Sequence, residues 1–205
     1  MQRSRAALMA AAVRLVSERG TTAIPVTDLA EAADVSRQLV YLQFGDRDSL
    51  LVAAAVDLVE RELLPLIGDV AEAGRTMIES GRSAAQSLAE MGRERVLATA
   101  RHFARHRSFY RAMLTGSCAF AMTRALGSVF GLLQEQAVRV LFGELDGAAT
   151  ADLAAFLSGG TGALINEWLI SDDDPLDPEE LADRLLRLMS LLASGCLAPP
   201  SRQSE

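Results

Sequence analysis

The stretch VTDLAEAADVSRQLVYLQFGDRDSLL, Val26–Leu51, decides the fold. It sets out a helix of about two turns, stops it at Asp34 and Val35, and restarts on a serine. Thr27 is read as the N-cap of the first short helix, with Asp28 placed favourably beside its positive end. Leu29, Ala30 and Ala33 point inward, Asp34 occupies the turn, and Ser36 caps a second helix through about Tyr41. Neither short helix is stable alone, because nucleation is costly. Docked on a preceding helix they can share one small core of Leu8, Leu15, Leu29, Ala30, Val35, Val40 and Phe44. That arrangement leaves Arg37, Gln38, Tyr41 and Gln43 on the outer face of the second helix without apolar cover. A rigid helix offering Arg, Gln and Tyr outward suits readout of the DNA major groove, with the preceding helix and flanks holding phosphates. The stretch is a helix-turn-helix.

Outward from it, no segment alternates apolar and polar residues with β-branched enrichment, so the fold is expected to be all-α. Helix one is placed over about Ser4 to Arg19, with Leu8, Ala11, Ala12, Leu15 and Val16 on one face and Gly20 as its stop. Asp46 caps a fourth helix that runs to about Leu64, before Pro65 and Gly68 disturb the pattern. The glycine-dotted stretch GDVAEAGRTMIESGRSAAQ has little periodicity. Helical spacing returns over about Ser83 to His106, Phe109 to Thr115 and Cys118 to Phe142. GELDGAAT reads as a loop, followed by a helix from about Ala151 to Ile170. The last helix opens with Asp177 as cap, Pro178 at its first position and Glu180 in its first turn, and ends near Ser194. The count is nine helices and no fixed-period repeat. SGGTG within the eighth has neither a preceding strand nor a following lysine, so a phosphate loop is excluded. Its glycines suit close helix approach, bending or a bulky neighbour.

The 205 residues carry a net charge of −7, which alone argues against nucleic acid. The distribution tells otherwise. Within residues 1–50 six arginines balance six acids, so the whole deficit lies in the rest of the chain. An acidic body behind a neutral, arginine-bearing end can still dock end-on against phosphates. Every basic residue is Arg. Cys118 and Cys196 lie far apart and read as free thiols. No run of eighteen apolar residues and no secretory leader is visible, so a cytoplasmic chain without a membrane span is expected.

The segment RLVSERGTTAIPVTDLAEAADVSRQLVYLQFGDRDSLLVAA resembles the DNA-binding domain of TetR-family transcriptional regulators. The resemblance is carried by Gly20, Thr27, Leu29, Ala30, Ala33, Val35, Ser36, Tyr41, Phe44, Arg47 and Leu50, about a quarter of the chain. Three positions depart from the family pattern. Asp34 replaces the turn glycine but tolerates the left-handed conformation. Gln43 stands where His or Tyr often contacts phosphate, and Arg47 replaces Lys. The resemblance implies DNA contacts by Thr27, Ser36, Arg37, Gln38, Leu39, Tyr41, Gln43 and Arg47. It also implies an N-terminal three-helix domain over 1–46, an effector-binding and dimerisation bundle over 47–198, and a disordered tail over 199–205. Helices five to seven would enclose the effector, and helices eight and nine would form a four-helix bundle with a second copy.

The residues support the same division. The eighth helix is apolar nearly all round, so it is expected to be covered on both sides, one of them by a partner. Expected interface residues are Leu153, Phe156, Leu157, Gly160, Leu164, Leu181, Leu185, Leu188, Met189 and Leu192. A small hydrophobic effector would meet His102, Phe103, His106, Phe109, Tyr110, Met113, Phe120, Phe130, Leu133, Asn166 and Trp168. His102 and His106 stand at i and i+4, a spacing able to ligate a metal. Arg101, Arg105, Arg107 and Arg111 crowd the pair, so neither a metal nor any other cofactor is expected. The chain is thus expected to be a homodimeric regulator of transcription, a repressor that leaves a palindromic operator when its effector binds. The competing reading, a helical enzyme or small-molecule carrier, lacks paired carboxylates or a Ser-His or Cys-His signal.

Overall fold

A computed structural model of the chain describes residues 2–67, 84–142 and 145–196. Among them are ten helices and no strand. They are α1 (Gln2–Arg19), α2 (Val26–Ala32), α3 (Arg37–Phe44), α4 (Arg47–Glu62), α5 (Leu64–Ile67), α6 (Ala84–Arg105), α7 (Arg107–Thr115), α8 (Ala119–Phe142), α9 (Gly147–Ile170) and α10 (Pro178–Cys196). The glycine-dotted segment of 68–83 and the tail of 197–205 lie outside the described residues.

The N-terminal elements follow their local signals. α1 buries Leu8, Ala11, Ala12, Leu15 and Val16, and Gly20 ends it at φ +63°. Asp34 takes φ +52°, the left-handed turn that its short polar side chain tolerates. Ser36 Oγ accepts from the Leu39 N–H at 3.3 Å, and Asp46 Oδ1 accepts from the Ser49 N–H at 2.7 Å. Thr27 is not a cap. Pro25 holds that position without a side-chain bond, Val26 starts the helix, and the Thr27 hydroxyl donates to Asp28 at 3.1 Å. Asp28 instead accepts from Arg19 at 2.7 Å, which ties the end of α1 to α2 and holds the Asp28 carboxyl below the usual carboxylate range.

α4 runs from the helix-turn-helix into the body, packing against α1 at one side and α8 at another. Its buried residues Leu50, Leu51, Ala54, Ala55, Leu58 and Val59 lie in one core that extends from Leu8 to Leu185. Two helix ends differ from the sequence expectation. The helix placed at Ala151 begins four residues earlier, because Asp146 caps it through the Ala149 N–H at 2.9 Å. Pro65 does not end helical structure but sits early in α5, where its missing N–H is harmless. At α10, Asp177 accepts from the N–H groups of Glu179 and Glu180 at 2.9 and 3.3 Å, as its sequence indicates.

α9 pairs with α8, while α10 packs chiefly on α6. Leu157, Ile165 and Leu169 of α9 face inward. The opposite stripe, Asp152, Ala155, Phe156, Gly159, Gly160, Ala163 and Ile170, is exposed, with Phe156 at 67%. α9 is long and apolar enough to cross a bilayer by length and composition, a test that the core helix of a soluble protein also passes. On α10, Leu181 and Leu185 are buried within the subunit and Leu188, Leu191 and Leu192 are exposed. Leu157, Leu181 and Leu185, expected at the contact with a second copy, therefore belong to the chain's own core. At 3.6 residues per turn the apolar residues of each helix divide between two faces, which a simple list of leucines merges.

Candidate nucleic-acid interface and effector region

α3 is held by Val40, fully buried, with Val35 and Phe44 half-buried against the same core. The Ser36 cap satisfies the start of the helix, and Gly45 closes it at φ +82°. What projects is the expected set: Ser36, Arg37 and Gln38 are exposed, Tyr41 is 54% exposed, and Leu39 is half-buried. Leu42, which sequence reasoning did not single out, is the most exposed apolar residue of α3 at 73%. Thr27 lies exposed on α2.

Two of the expected contacts have other engagements. Both amide atoms of Gln43 are buried without a hydrogen-bond partner, so this side chain is turned inward rather than offered to a phosphate. The Arg47 guanidinium pairs with Asp48 at 2.7 Å, which neutralises part of its charge. Positive charge beside α3 comes instead from a residue missed in the sequence. Arg5 lies 4.3 Å over the ring of Phe44 and donates to the Gln43 carbonyl at 3.3 Å. The only signal available was an arginine early in α1, and nothing local tied it to residues 38 positions away.

The expected effector residues divide into three groups. His102, Phe103, Phe109, Tyr110 and Met113 are buried together at the α6–α7 junction. Their rings pack in sequence, Phe103 on Tyr110 at 4.7 Å and Phe109 on Tyr110 at 5.3 Å between centroids. Phe130, Leu133, Asn166 and Trp168 are half-buried on α8 and α9. Phe120 stands apart at 81% exposure on the first turn of α8, so it does not join this group. The helical period there turns Met122 and Leu126 inward instead.

The two histidines and Tyr110 each have a polar partner. His102 Nε2 and the Tyr110 hydroxyl are 3.0 Å apart, and His106 Nε2 lies 2.7 Å from Glu62 Oε2 at the end of α4. Burial, with the neighbouring His106 adding to it, pushes the His102 pKa down to about 4, so that imidazole is neutral at physiological pH. Burial also pushes the Tyr110 hydroxyl up. Burial alone would raise Glu62, but the His106 hydrogen bond together with the electrostatic pull of His106, His102 and Arg61 outweighs it and holds the carboxyl below its ordinary value. Glu62 carried no sequence signal, since its partner lies 44 residues away.

The loop after α7 touches the helix-turn-helix domain at two points. Ser117 Oγ donates to Asp48 Oδ2 at 2.8 Å, and Gly116 lies directly against Thr22, which is 5% exposed. Cys118 beside them is buried and its thiol is pushed up by that burial, so it is an inert apolar side chain.

Comparison with known proteins agrees with this geometry. The family model of bacterial regulatory proteins of the tetR family matches residues 8–54, from α1 into α4. No curated protein matches the chain. Several solved structures share its fold along nearly the whole length. The fatty acid degradation regulator FadR from Bacillus halodurans is 18% identical, with a TM-score of 0.60 over 89% of this chain and 96% of that one. Thermus thermophilus FadR, a repressor solved with lauroyl-CoA, is 20% identical, with a TM-score of 0.60 over 98% of this chain and 99% of that one. NalD, the secondary repressor of the MexAB-OprM multidrug efflux pump in Pseudomonas aeruginosa, is 21% identical, with a TM-score of 0.54 over 93% and 95%. At these identities the likeness carries the fold alone, and the family model speaks for its own span: residues 8–54 form a helix-turn-helix domain of the kind found in bacterial regulatory proteins of the tetR family.

Proposed function

We infer that the protein is a homodimeric repressor that reads a palindromic operator through α3 and is released by a small hydrophobic effector. The observation that carries this reading is the bare outer face of a firmly held helix. Arg37 and Gln38 in the first turn and Tyr41 in the second stand exposed on a helix capped at both ends. Arg and Gln can make paired hydrogen bonds to guanine and adenine edges, and the tyrosine hydroxyl suits a phosphate. Arg5, Thr27 and Ser36 flank them as backbone contacts, and Leu39 meets a base or sugar edge. Gln43 and Arg47 support α3 rather than touch DNA directly.

Dimerisation uses the exposed stripe of α9 with Leu188, Leu191 and Leu192 of α10, and Leu153, Leu164 and Met189 at its edge. Glycines 159 and 160 have open space around them, so a second copy of α9 can approach closely there. In such a dimer each α3 reads one half-site, with centres about 34–36 Å apart. The effector enters the α6–α7 aromatic cluster, bounded by Phe130, Leu133, Asn166 and Trp168, and the lauroyl chain bound by the Thermus thermophilus regulator agrees with an apolar guest. Displacement of α7 would be passed on through Gly116 and Ser117 to Thr22 and Asp48. A ligand achieves this only by favouring one spacing of the two reading helices over the other.

Band shifts with duplex DNA from beside the gene test the assignment. Arg37→Ala and Tyr41→Ala should each weaken binding at least about tenfold while leaving the dimer folded. Undiminished shifts with both variants would refute it.

A further inference from the structure

The geometry points to a transition-metal site at the end of α4, formed by the Glu62 carboxylate and the imidazoles of His102 and His106. The three side chains offer ligand atoms that all lie within 4.8 Å of one another. They come from two directions. Glu62 closes the helix that carries the reading domain, and the two histidines sit on successive turns where α6 meets α7. Two imidazole nitrogens and one carboxylate oxygen form a ligand set of the kind that zinc, cobalt and nickel accept, and that magnesium and calcium do not favour. Bonds of about 2.0–2.1 Å in a tetrahedron separate ligand atoms by roughly 3.3 Å, so side-chain rotation alone can close the triangle. The fourth position would be taken by water.

The surroundings fit the proposal in two further ways. His102 is 4% exposed and its ring is held by the Tyr110 hydroxyl at 3.0 Å, the type of outer hydrogen bond that orients a metal-binding imidazole. The neighbouring arginines, which on sequence alone argue against a cation, are largely engaged elsewhere. Arg101 pairs with Glu179 at 3.0 Å, Arg107 binds the Ser171 carbonyl at 2.6 Å, and Arg111 binds the same carbonyl at 2.8 Å. Arg105 is exposed to solvent, and Arg61 divides itself between Asp57 and Glu62 at 3.5 and 3.8 Å. Without metal, a 2.7 Å hydrogen bond joins His106 to Glu62, and the His102 ring lies 5.0 Å from that of His106 between centroids. A bound ion replaces that bond with a cross-link between α4 and the α6–α7 junction.

The chain contains two histidines, both in this cluster, so imidazole signals report on it alone. The full-length protein, stripped with chelator, is titrated with zinc chloride while the ring 15N resonances are followed. One equivalent per chain should shift the ring nitrogens of both histidines. Cobalt in place of zinc should give visible d–d absorption that zinc displaces and magnesium does not. Glu62→Gln and His106→Gln, checked for native circular dichroism, should each lower cobalt affinity by at least about 100-fold. Unshifted histidine signals at equimolar zinc would overturn the site, whatever the variants do. So would cobalt absorption that persists in both variants, or that carries a thiolate charge-transfer band, since either places the ion elsewhere.

Discussion

Gly116→Ala probes the contact through which the body meets the helix-turn-helix domain. Gly116 follows α7 with φ −104° and ψ −170°, a conformation open to every residue, so its backbone does not demand glycine. By itself the change to alanine would restrict the unfolded chain and stabilise by about 0.4–1 kcal/mol. Space dictates the opposite. A Cβ built there would overlap Thr22 Oγ1, come within 3.0 Å of Thr22 Cγ2, and stand 2.9 Å from the Ala112 carbonyl oxygen. Thr22 is buried and β-branched, so it cannot swing aside freely, and overpacking of this kind costs about 1–3 kcal/mol. Thr22→Ala removes both offending side-chain atoms and leaves only the carbonyl contact. Gly116→Ala should therefore cost at least about 1 kcal/mol less in the Thr22→Ala background than in the wild type. Urea unfolding of the four proteins at one fixed chain concentration measures this cycle, the concentration being fixed because association adds to stability. Additive effects, or a Gly116→Ala protein more stable than wild type, would show that the α7–α8 loop does not press on Thr22.

Other consequences can be measured with the same protein. Asp46→Ala should cost about 1 kcal/mol at neutral pH by removing the cap of α4. The Ser49 N–H holds the Asp46 carboxyl below its ordinary value, so the cap's contribution is present above about pH 4 and fades as the pH falls through the folded-state value; a wild-type-minus-variant difference constant into strong acid would contradict this. Phe156→Glu and Leu191→Glu, at positions 67% and 69% exposed in the subunit, should each raise the dimer Kd by about 30-fold or more in sedimentation equilibrium without lowering helix content. An unchanged dimer would place the interface elsewhere.

What the sequence revealed was mostly what local chemistry settles. Ser36, Asp46 and Asp177 are caps because their side chains reach N–H groups two or three residues on, and Asp34 marks the turn because few residues accept its conformation. The same reasoning fails where a competitor is near. Thr27 looks like a cap, but Pro25 fixes the chain so that the helix starts one residue before the threonine. Period and hydrophobicity place α9 and α10 well, yet cannot say which leucines serve the subunit and which a partner, because both environments are apolar. Gln43 reads as a surface residue, and only the packed structure turns its amide inward. The α4–α6 cluster is least legible of all. Histidines 102 and 106 are conspicuous, but the Glu62 that completes their set is an ordinary acid at the end of a helix. Likewise the arginines that discourage a cation on paper are drawn away by Glu179 and by the Ser171 carbonyl, contacts more than 50 residues distant.

The central claim is that α3 reads base sequence from two subunits at once. Selection of bound duplexes from a randomised pool by the full-length protein tests it most directly. The account predicts enrichment of an inverted repeat whose half-site centres lie about one helical turn, or a multiple of one, apart, with enrichment lost for Arg37→Ala and Tyr41→Ala. Recovery of no common sequence, or of the same repeat with both substitutions in place, would contradict it.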